Sequence, residues 1–159
     1  MENTYNIALL VDARTQKFMP DSWDILRMVN PHGHIKIKEA YLDADCQIDD
    51  PRSFHNADYK VLLTPIGNVG ETIAERIGTI LRQRTDIGLI ALVTEDIDLL
   101  SLCEAVQYAC VDLLLIGRGP HTMPRELVEV ADYIAYLPKR LSEQPAVRSL
   151  WADTPWEED

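Results

Sequence analysis

The sequence contains little cysteine. Its three cysteines, Cys46, Cys103 and Cys110, are odd in number and include no CxxC pair. This pattern argues against a disulfide framework and against a zinc site. We therefore expect all three thiols to be reduced, with Cys103 and Cys110 in the core of a helix.

A long hydrophobic run is also absent. No apolar segment approaches the roughly 18 to 20 residues that a membrane-spanning helix requires. The first apolar segment is short and no basic region precedes it, in contrast to a secretory signal peptide. These features predict a soluble, cytoplasmic protein that has no membrane partner.

The sequence also has few basic residues relative to acidic ones. The chain has 26 acidic and 15 basic residues, which gives a formal net charge of -11 at pH 7. That is the wrong sign for a general nucleic-acid binder. Five arginines nevertheless lie closer to the predicted ligand-binding edge of the domain: Arg76, Arg82, Arg84, Arg118 and Arg125. A local basic rim is therefore compatible with the acidic composition.

Short apolar segments alternate with helical patterns over most of the chain. Residues 88–93 are continuously apolar and residues 5–11 are apolar apart from Asn6, which is typical of strands that are buried on both faces. Further strands are predicted at residues 34–42, 59–63, 111–116 and 132–137. Helices are predicted at residues 22–29, 69–84, 97–108 and 124–130.

Strands that alternate with crossover helices predict an α/β domain, specifically a three-layer α/β/α sandwich with a mainly parallel sheet. A flavodoxin-like or receiver-like doubly wound domain is the alternative fold, because such domains also carry acids at strand ends. The domain is predicted over residues 1–138. Residues 139–159 read as an acidic, proline-containing tail, with Trp151 and Trp156 as docking residues.

Carboxylates follow two of the buried strands. Asp12 ends the first strand, and Asp96 and Asp98 follow the strand at residues 88–93. The carboxyl edge of a parallel sheet is where ligands bind, so these acids can converge on one point. Converging carboxylates repel one another unless a cation lies between them, and hard oxygen ligands favour magnesium or manganese. In the alternative interpretation, each acid caps a helix or lies in a solvated loop.

Four short motifs, in order, resemble those of the NYN domain family, a branch of the PIN-like metal-dependent ribonucleases. The segment LLVDART, with Asp12 as its acid, is similar to the motif IDGxN that ends the family's first strand. The segment VTEDIDL is similar to SGDSDF, with Thr94 in place of the serine and Asp96 and Asp98 as its two acids. VDLLLIGRG and LVEVADYIAYL resemble the family's VxVIG strand and its closing LxxxADxFIxL. The resemblance spans residues 5–138.

This resemblance implies a PIN-like sheet and a metal-dependent endoribonuclease. By analogy with the family, Asp12, Asp96 and Asp98 would hold Mg²⁺ or Mn²⁺ and hydrolyse a phosphodiester of RNA. Glu71 would complete the catalytic acids. Contacts to the RNA substrate would come from Arg14, Thr94 and Arg118.

The sequence departs from the family pattern at two places. Arg14 or Thr15 stands where family members carry an asparagine. The family's helix motif KGVDVxLxxD aligns with VGETIAERIG, so that Thr72 and Gly78 occupy the positions of the helix acids. Glu71 would substitute for the first of them, although neighbouring helix residues point about 100° apart. Alternatively, Glu71 only stabilises the helix N-terminus.

Two functions of different class remain open from the sequence. The first is a Mg²⁺- or Mn²⁺-dependent ribonuclease, which the paired acids Asp96 and Asp98 favour. The second is a catalytically impaired binding or regulatory module that recognises RNA or a protein partner, which the missing helix acid, the missing asparagine and the negative net charge favour. Self-association into a homo-oligomer is compatible with both. The loop GRGPH is not a GxGxxG fingerprint, so no nucleotide cofactor is expected.

Overall fold

The computed structural model describes residues 4–16, 22–44, 54 and 57–138. The strands of this described part are β1 (Tyr5–Asp12), β2 (Gly33–Leu42), β3 (Lys60–Leu63), β4 (Leu89–Val93), β5 (Asp112–Gly117) and β6 (Tyr133–Tyr136). Its α-helices are α1 (Ser22–Val29), α2 (Val69–Gln83), α3 (Leu100–Tyr108) and α4 (Arg125–Val130). Short 3₁₀ helices cover Ala13–Gln16, Asn30–His32 and Ile97–Leu99.

The strands form one sheet in the order β3-β2-β1-β4-β5-β6, and every neighbouring pair is parallel. The chain therefore moves outward from β1 to β3, returns to place β4 beside β1, and moves outward again to β6. The loops that leave β1 and β4 run in opposite directions, which opens a crevice at the carboxyl edge between these two strands. The register pairs Val11 with Val93, so the residues that follow each strand emerge side by side.

Apolar side chains cover both faces of the sheet. On one face, α2, α3 and α4 pack with Leu10, Ile90 and Leu115, and on the other face α1 packs with Leu9, Ala91 and Leu114. All residues of β4 are buried, as the continuous apolar pattern indicated. In α2, the buried residues Val69, Ile73, Ile77 and Ile80 recur at helical spacing.

The predicted α/β/α sandwich is thus confirmed, and its sheet is parallel throughout the described residues. The flavodoxin-like alternative is wrong, since that fold places β1 between β2 and β3, whereas here β1 lies between β2 and β4. The predicted tail at residues 139–159 lies outside the described residues.

The two later cysteines have different surroundings. Cys103 is buried in α3, as predicted, and burial raises the pKa of its thiol to about 11. The prediction that Cys110 lies in a helix core is wrong. Cys110 is exposed and follows the end of α3 with a φ of 62°, a left-handed conformation that cannot continue the helix. Within the described residues, no helix is both long and apolar enough to cross a membrane.

Candidate functional site: an Arg-bridged acidic cleft

The cleft is built where β1 and β4 end. Asp12 is the last residue of β1 and is 1% exposed. Thr94, directly after β4, is fully buried and donates its hydroxyl proton to Asp12 Oδ2 at 2.7 Å. The same hydroxyl oxygen accepts from the backbone N–H of Asp96 at 3.1 Å. Thr94 therefore fixes both the Asp12 carboxylate and the start of the next loop.

Arg14 folds back onto the acid two residues before it. The 3₁₀ turn after β1 brings its backbone N–H to 3.0 Å from Asp12 Oδ1, and its Nε lies 2.8 Å from the same oxygen. Its Nη2 donates to Asp12 Oδ2 at 2.8 Å and also to Asp96 Oδ2 at 2.9 Å. Hydrogen bonding to Asp12 raises the pKa of Arg14 further above its already high value. One guanidinium group thus bridges carboxylates from two strand ends.

These contacts use the acceptor capacity of Asp12. An ionised carboxylate offers about four lone-pair positions. Asp12 receives three hydrogen bonds from Arg14 and one from Thr94. The buried charge is therefore balanced and hydrogen-bonded by the protein itself, which is the condition under which a buried carboxylate is tolerated.

The carboxylate of Asp96 accepts hydrogen bonds from two residues, and only one of these residues lines the cleft. Its Oδ1 accepts from the backbone N–H of Asp98 at 2.9 Å and so caps the 3₁₀ helix Ile97–Leu99. The capping interpretation of Asp96 is confirmed, and its Oδ2 remains directed at Arg14. Asp98 itself is exposed and does not line the cleft.

The first turn of α2 approaches this cluster through Gly70. A Cβ atom at Gly70 would lie 3.3 Å from Asp96 Oδ2 and 3.4 Å from Arg14 Nη2, so a side chain there would press on the bridge. Glu71, the next residue, is exposed and does not line the cleft. The hydroxyl of Thr72 bonds to the carbonyl of Asn68 at 2.8 Å within the helix. The structure therefore does not bring Glu71 to the other predicted acids.

A second acid–arginine pair forms the opposite wall. Glu95 Oε2 accepts from the backbone N–H of Arg118 and from the hydroxyl of Thr122, each at 2.6 Å. Arg118 Nε lies 3.4 Å from Glu95 Oε1. Gly117 makes room for this arrangement, because a Cβ atom there would lie 2.9 Å from Glu95 Oε2 and 2.2 Å from Met123 Cε.

Glu95 and Thr122 were not among the predicted site residues. The only sequence signal for Glu95 is its place between Thr94 and Asp96, and no motif of the sequence marks Thr122. The predicted site residues that line the cleft are Asp12, Arg14, Asp96 and Arg118. Thr94, which was also predicted, lies directly behind them.

Together these side chains line an open cleft of about 350 Å³, whose lining residues are Asp12, Arg14, Glu95, Asp96, Arg118 and Thr122. Both arginines are anchored by an acid, yet each has N–H groups to spare. Arg14 Nη1 and both Nη atoms of Arg118 make no hydrogen bond to a described residue. An anion that entered the cavity would find these N–H groups as donors.

The donor set does not fit the divalent ion that the NYN resemblance implies. Of the predicted ligands Asp12, Asp96 and Asp98, only the first two converge, and the Arg14 guanidinium lies between them. Asp12 has no hydrogen-bond capacity left to offer a metal. Across the described residues, no group of three His, Cys, Asp or Glu side chains is placed to hold a metal ion.

Comparison with known proteins supports the fold and does not name a function. No family model and no curated protein matches the chain. The structure is similar to that of a protein of unknown function from Vibrio parahaemolyticus RIMD 2210633, with 21% sequence identity and a TM-score of 0.66. That match covers 87% of this chain and 96% of the other. At this identity the similarity shows a shared fold alone.

Two oxidoreductase structures are more distant. One is a short-chain dehydrogenase/reductase (wide type) from Veillonella parvula DSM 2008 in complex with NADP, with 9% sequence identity and a TM-score of 0.42. That match covers 84% of this chain and 68% of the other. The other is a putative oxidoreductase from Parabacteroides merdae ATCC 43184, at 9% identity and a TM-score of 0.34, covering 86% of this chain and 32% of that one. Neither similarity is close enough to argue for a function.

Proposed function

We propose that this domain is an NYN-like, cytoplasmic binding module that recognises the phosphate backbone of RNA without a divalent ion and without cutting it. The observation that carries the proposal is the Arg14 guanidinium, which contacts Asp12 and Asp96 through the same nitrogen at 2.8 and 2.9 Å. A metal-dependent nuclease needs that space for its ion. With the guanidinium there, the edge of the sheet offers hydrogen-bond donors to a phosphate in place of a metal.

The position and the remaining donors of the two arginines support phosphate as the ligand. Arg14 and Arg118 lie on opposite walls of one cavity, and each is held in place by a carboxylate that leaves at least one Nη atom uncommitted. Held arginines lose little side-chain entropy on binding, and a guanidinium matches the geometry of a phosphate. The cleft also lies at the strand-order reversal, where ligands bind in open parallel sheets.

The net charge of -11 sets the expected strength of binding. Because the chain as a whole repels a polyanion, affinity must come from the few contacts in the cleft. We therefore expect weak binding to RNA. The affinity should fall as the salt concentration rises, with the small slope that a few phosphate contacts give.

The test is fluorescence anisotropy of a labelled single-stranded RNA, titrated with protein in EDTA and in MgCl₂ over a series of salt concentrations. We expect equal affinity in both buffers and intact RNA on a denaturing gel. Arg118→Ala should weaken binding and reduce the slope of log affinity against log salt by about 0.7, the value for one phosphate contact on a single strand.

Arg84→Ala is the matched control. Its side chain is 41% exposed, as is that of Arg118, and it too pairs with an acid, Asp86. It follows the C-terminal end of α2, at the far end of that helix from Gly70. Equal losses of RNA affinity in Arg118→Ala and Arg84→Ala would contradict the proposal. Absence of RNA binding would also contradict it and would leave a protein partner as the ligand.

A ribonuclease is the second candidate, and one observation favours it. Asp12 and Asp96 do meet at the carboxyl edge of the sheet. Cleavage of single-stranded RNA by the wild type in MnCl₂, abolished by Asp96→Asn, would select this candidate over the binding module.

A further inference from the structure

The carboxylates of Asp12 and Asp96 already hold a cation, and that cation is part of the chain. The side chain of Asp12 is 2% exposed and that of Asp96 is 23% exposed, so water screens the first poorly. Two carboxylates this close repel each other unless a positive charge lies between them. Arg14 Nη2 supplies it, with contacts of 2.8 Å to Asp12 and 2.9 Å to Asp96.

We propose that the Arg14 guanidinium is a tethered counter-ion that takes the place of a divalent metal, and that Asp12 and Asp96 become a divalent-cation site when Arg14 is replaced by a neutral residue. The proposal does not depend on RNA being the ligand of the cleft. It concerns only which cation the two carboxylates accept.

The tether explains why the guanidinium excludes a metal ion. Arg14 is two residues from Asp12, and its backbone N–H is bonded to the same carboxylate at 3.0 Å, so the guanidinium is always attached close to the two acids. A group attached by so short a link acts at a high effective concentration. A guanidinium is also not deprotonated in proteins. A free ion would have to displace a partner that is always present and always charged.

The atoms that Arg14 releases are suited to a hard cation. Its removal would free both oxygens of Asp12 from side-chain contacts with the guanidinium, together with Asp96 Oδ2. Magnesium is commonly bound by one or two carboxylates while it keeps several waters, and manganese favours the same oxygen ligands. Thr94 would continue to orient Asp12 from behind through its 2.7 Å hydrogen bond, in the manner of an outer-shell partner.

The experiment is a titration of the protein with MnCl₂. Binding is measured in two ways, by calorimetry and by the loss of the free Mn²⁺ signal in electron paramagnetic resonance. We expect no saturable binding to the wild type and one saturable site in Arg14→Ala. Arg14→Lys keeps the positive charge and should behave as the wild type. The double variant Arg14→Ala/Asp96→Asn should lose the new site, and Arg118→Ala, which leaves Arg14 in place, should not gain one.

A second variant and a second readout guard against a folding defect. Arg14→Gln is neutral and retains hydrogen-bonding groups. In MnCl₂, the thermal unfolding of Arg14→Ala and of Arg14→Gln should shift to higher temperature, whereas that of the wild type should not. Equal, Asp96-dependent Mn²⁺ binding by wild type and Arg14→Ala would overturn the proposal. Folded neutral variants that bind no Mn²⁺ would overturn it too, as would variants that remain unfolded in excess Mn²⁺, because the ion would then fail to replace the guanidinium.

Discussion

Thr94 is the residue on which the internal geometry of the cleft depends. Its hydroxyl is fully buried, donates to Asp12 Oδ2 at 2.7 Å and accepts from the Asp96 backbone at 3.1 Å. Thr122 plays a similar part for Glu95 on the opposite wall, at 2.6 Å. Each wall therefore consists of an acid, an arginine that neutralises it and a threonine that orients it.

Replacing Thr94 by valine should destabilise the fold. Valine has the same shape but neither donates nor accepts, so one lone pair of the buried Asp12 carboxylate and the N–H of Asp96 lose their partner. We expect a loss of about 1–3 kcal/mol in the free energy of unfolding, measured by urea denaturation. Thr79→Val is the control, since the Thr79 hydroxyl donates to the Glu75 carbonyl at 3.1 Å and accepts from Arg82 Nη2 at 3.4 Å, both on the exposed surface of α2. Equal stability of the two variants would contradict this role for Thr94.

Sequence reasoning located most of the cleft residues but not their partners. The end of a buried strand marks Asp12, and the loop after the next central strand marks Thr94 and Asp96. That Arg14 turns back onto Asp12 depends on the 3₁₀ conformation of Ala13–Gln16, which no periodic pattern encodes. Glu95 reaches Arg118 only because Gly117 leaves space for it, which is a tertiary feature.

At the scale of elements, a partly buried ion pair joins α2 to β2 and so holds the helix against the sheet. Glu39 lies in β2 with a side chain that is 7% exposed, and Arg76 of α2 contacts both of its carboxylate oxygens at 3.0 to 3.2 Å. The hydroxyl of Tyr41 also donates to Glu39. Burial raises the pKa of Tyr41, so that hydroxyl stays protonated and remains a donor.

Arg76→Met should leave the Glu39 carboxylate buried without its counter-charge. We expect a loss of roughly 2 kcal/mol in the free energy of unfolding, since the stranded charge costs more than the pair contributes. In the double variant Glu39→Met/Arg76→Met, part of this loss should be recovered. Arg82→Met, at an exposed position of the same helix, is the control. A double variant that is no more stable than Arg76→Met alone would contradict this interpretation.

The pattern of α2 was predictable, but its partner in the sheet was not. Ile73, Ile77 and Ile80 predict the buried stripe of the helix. Glu39 stands among the many acids of its stretch in the sequence, where a solvated position is the simplest expectation. Only the register that pairs Glu39 with Leu10 in the centre of the sheet places it opposite Arg76.

At the scale of the whole molecule, strand order decides whether the acids meet at all. Alternating strands and helices predict a parallel sheet, and the structure has one. That alternation alone does not determine which strand lies beside β1. Because β4 does, Asp12 and Asp96 emerge next to each other, and a fold with β3 in that place would have separated them. The position of Asp12 and Asp96 at the ends of two buried strands predicted that they could converge. The guanidinium between them could be found only from the structure.

In our proposal, the Arg14 guanidinium occupies the place of a metal ion between Asp12 and Asp96. Anomalous diffraction from crystals of the wild type grown with MnCl₂ tests it most directly. We expect no manganese peak between the two carboxylates and an Arg14 side chain that contacts both. A manganese peak bridging Asp12 and Asp96, with Arg14 displaced, would contradict it.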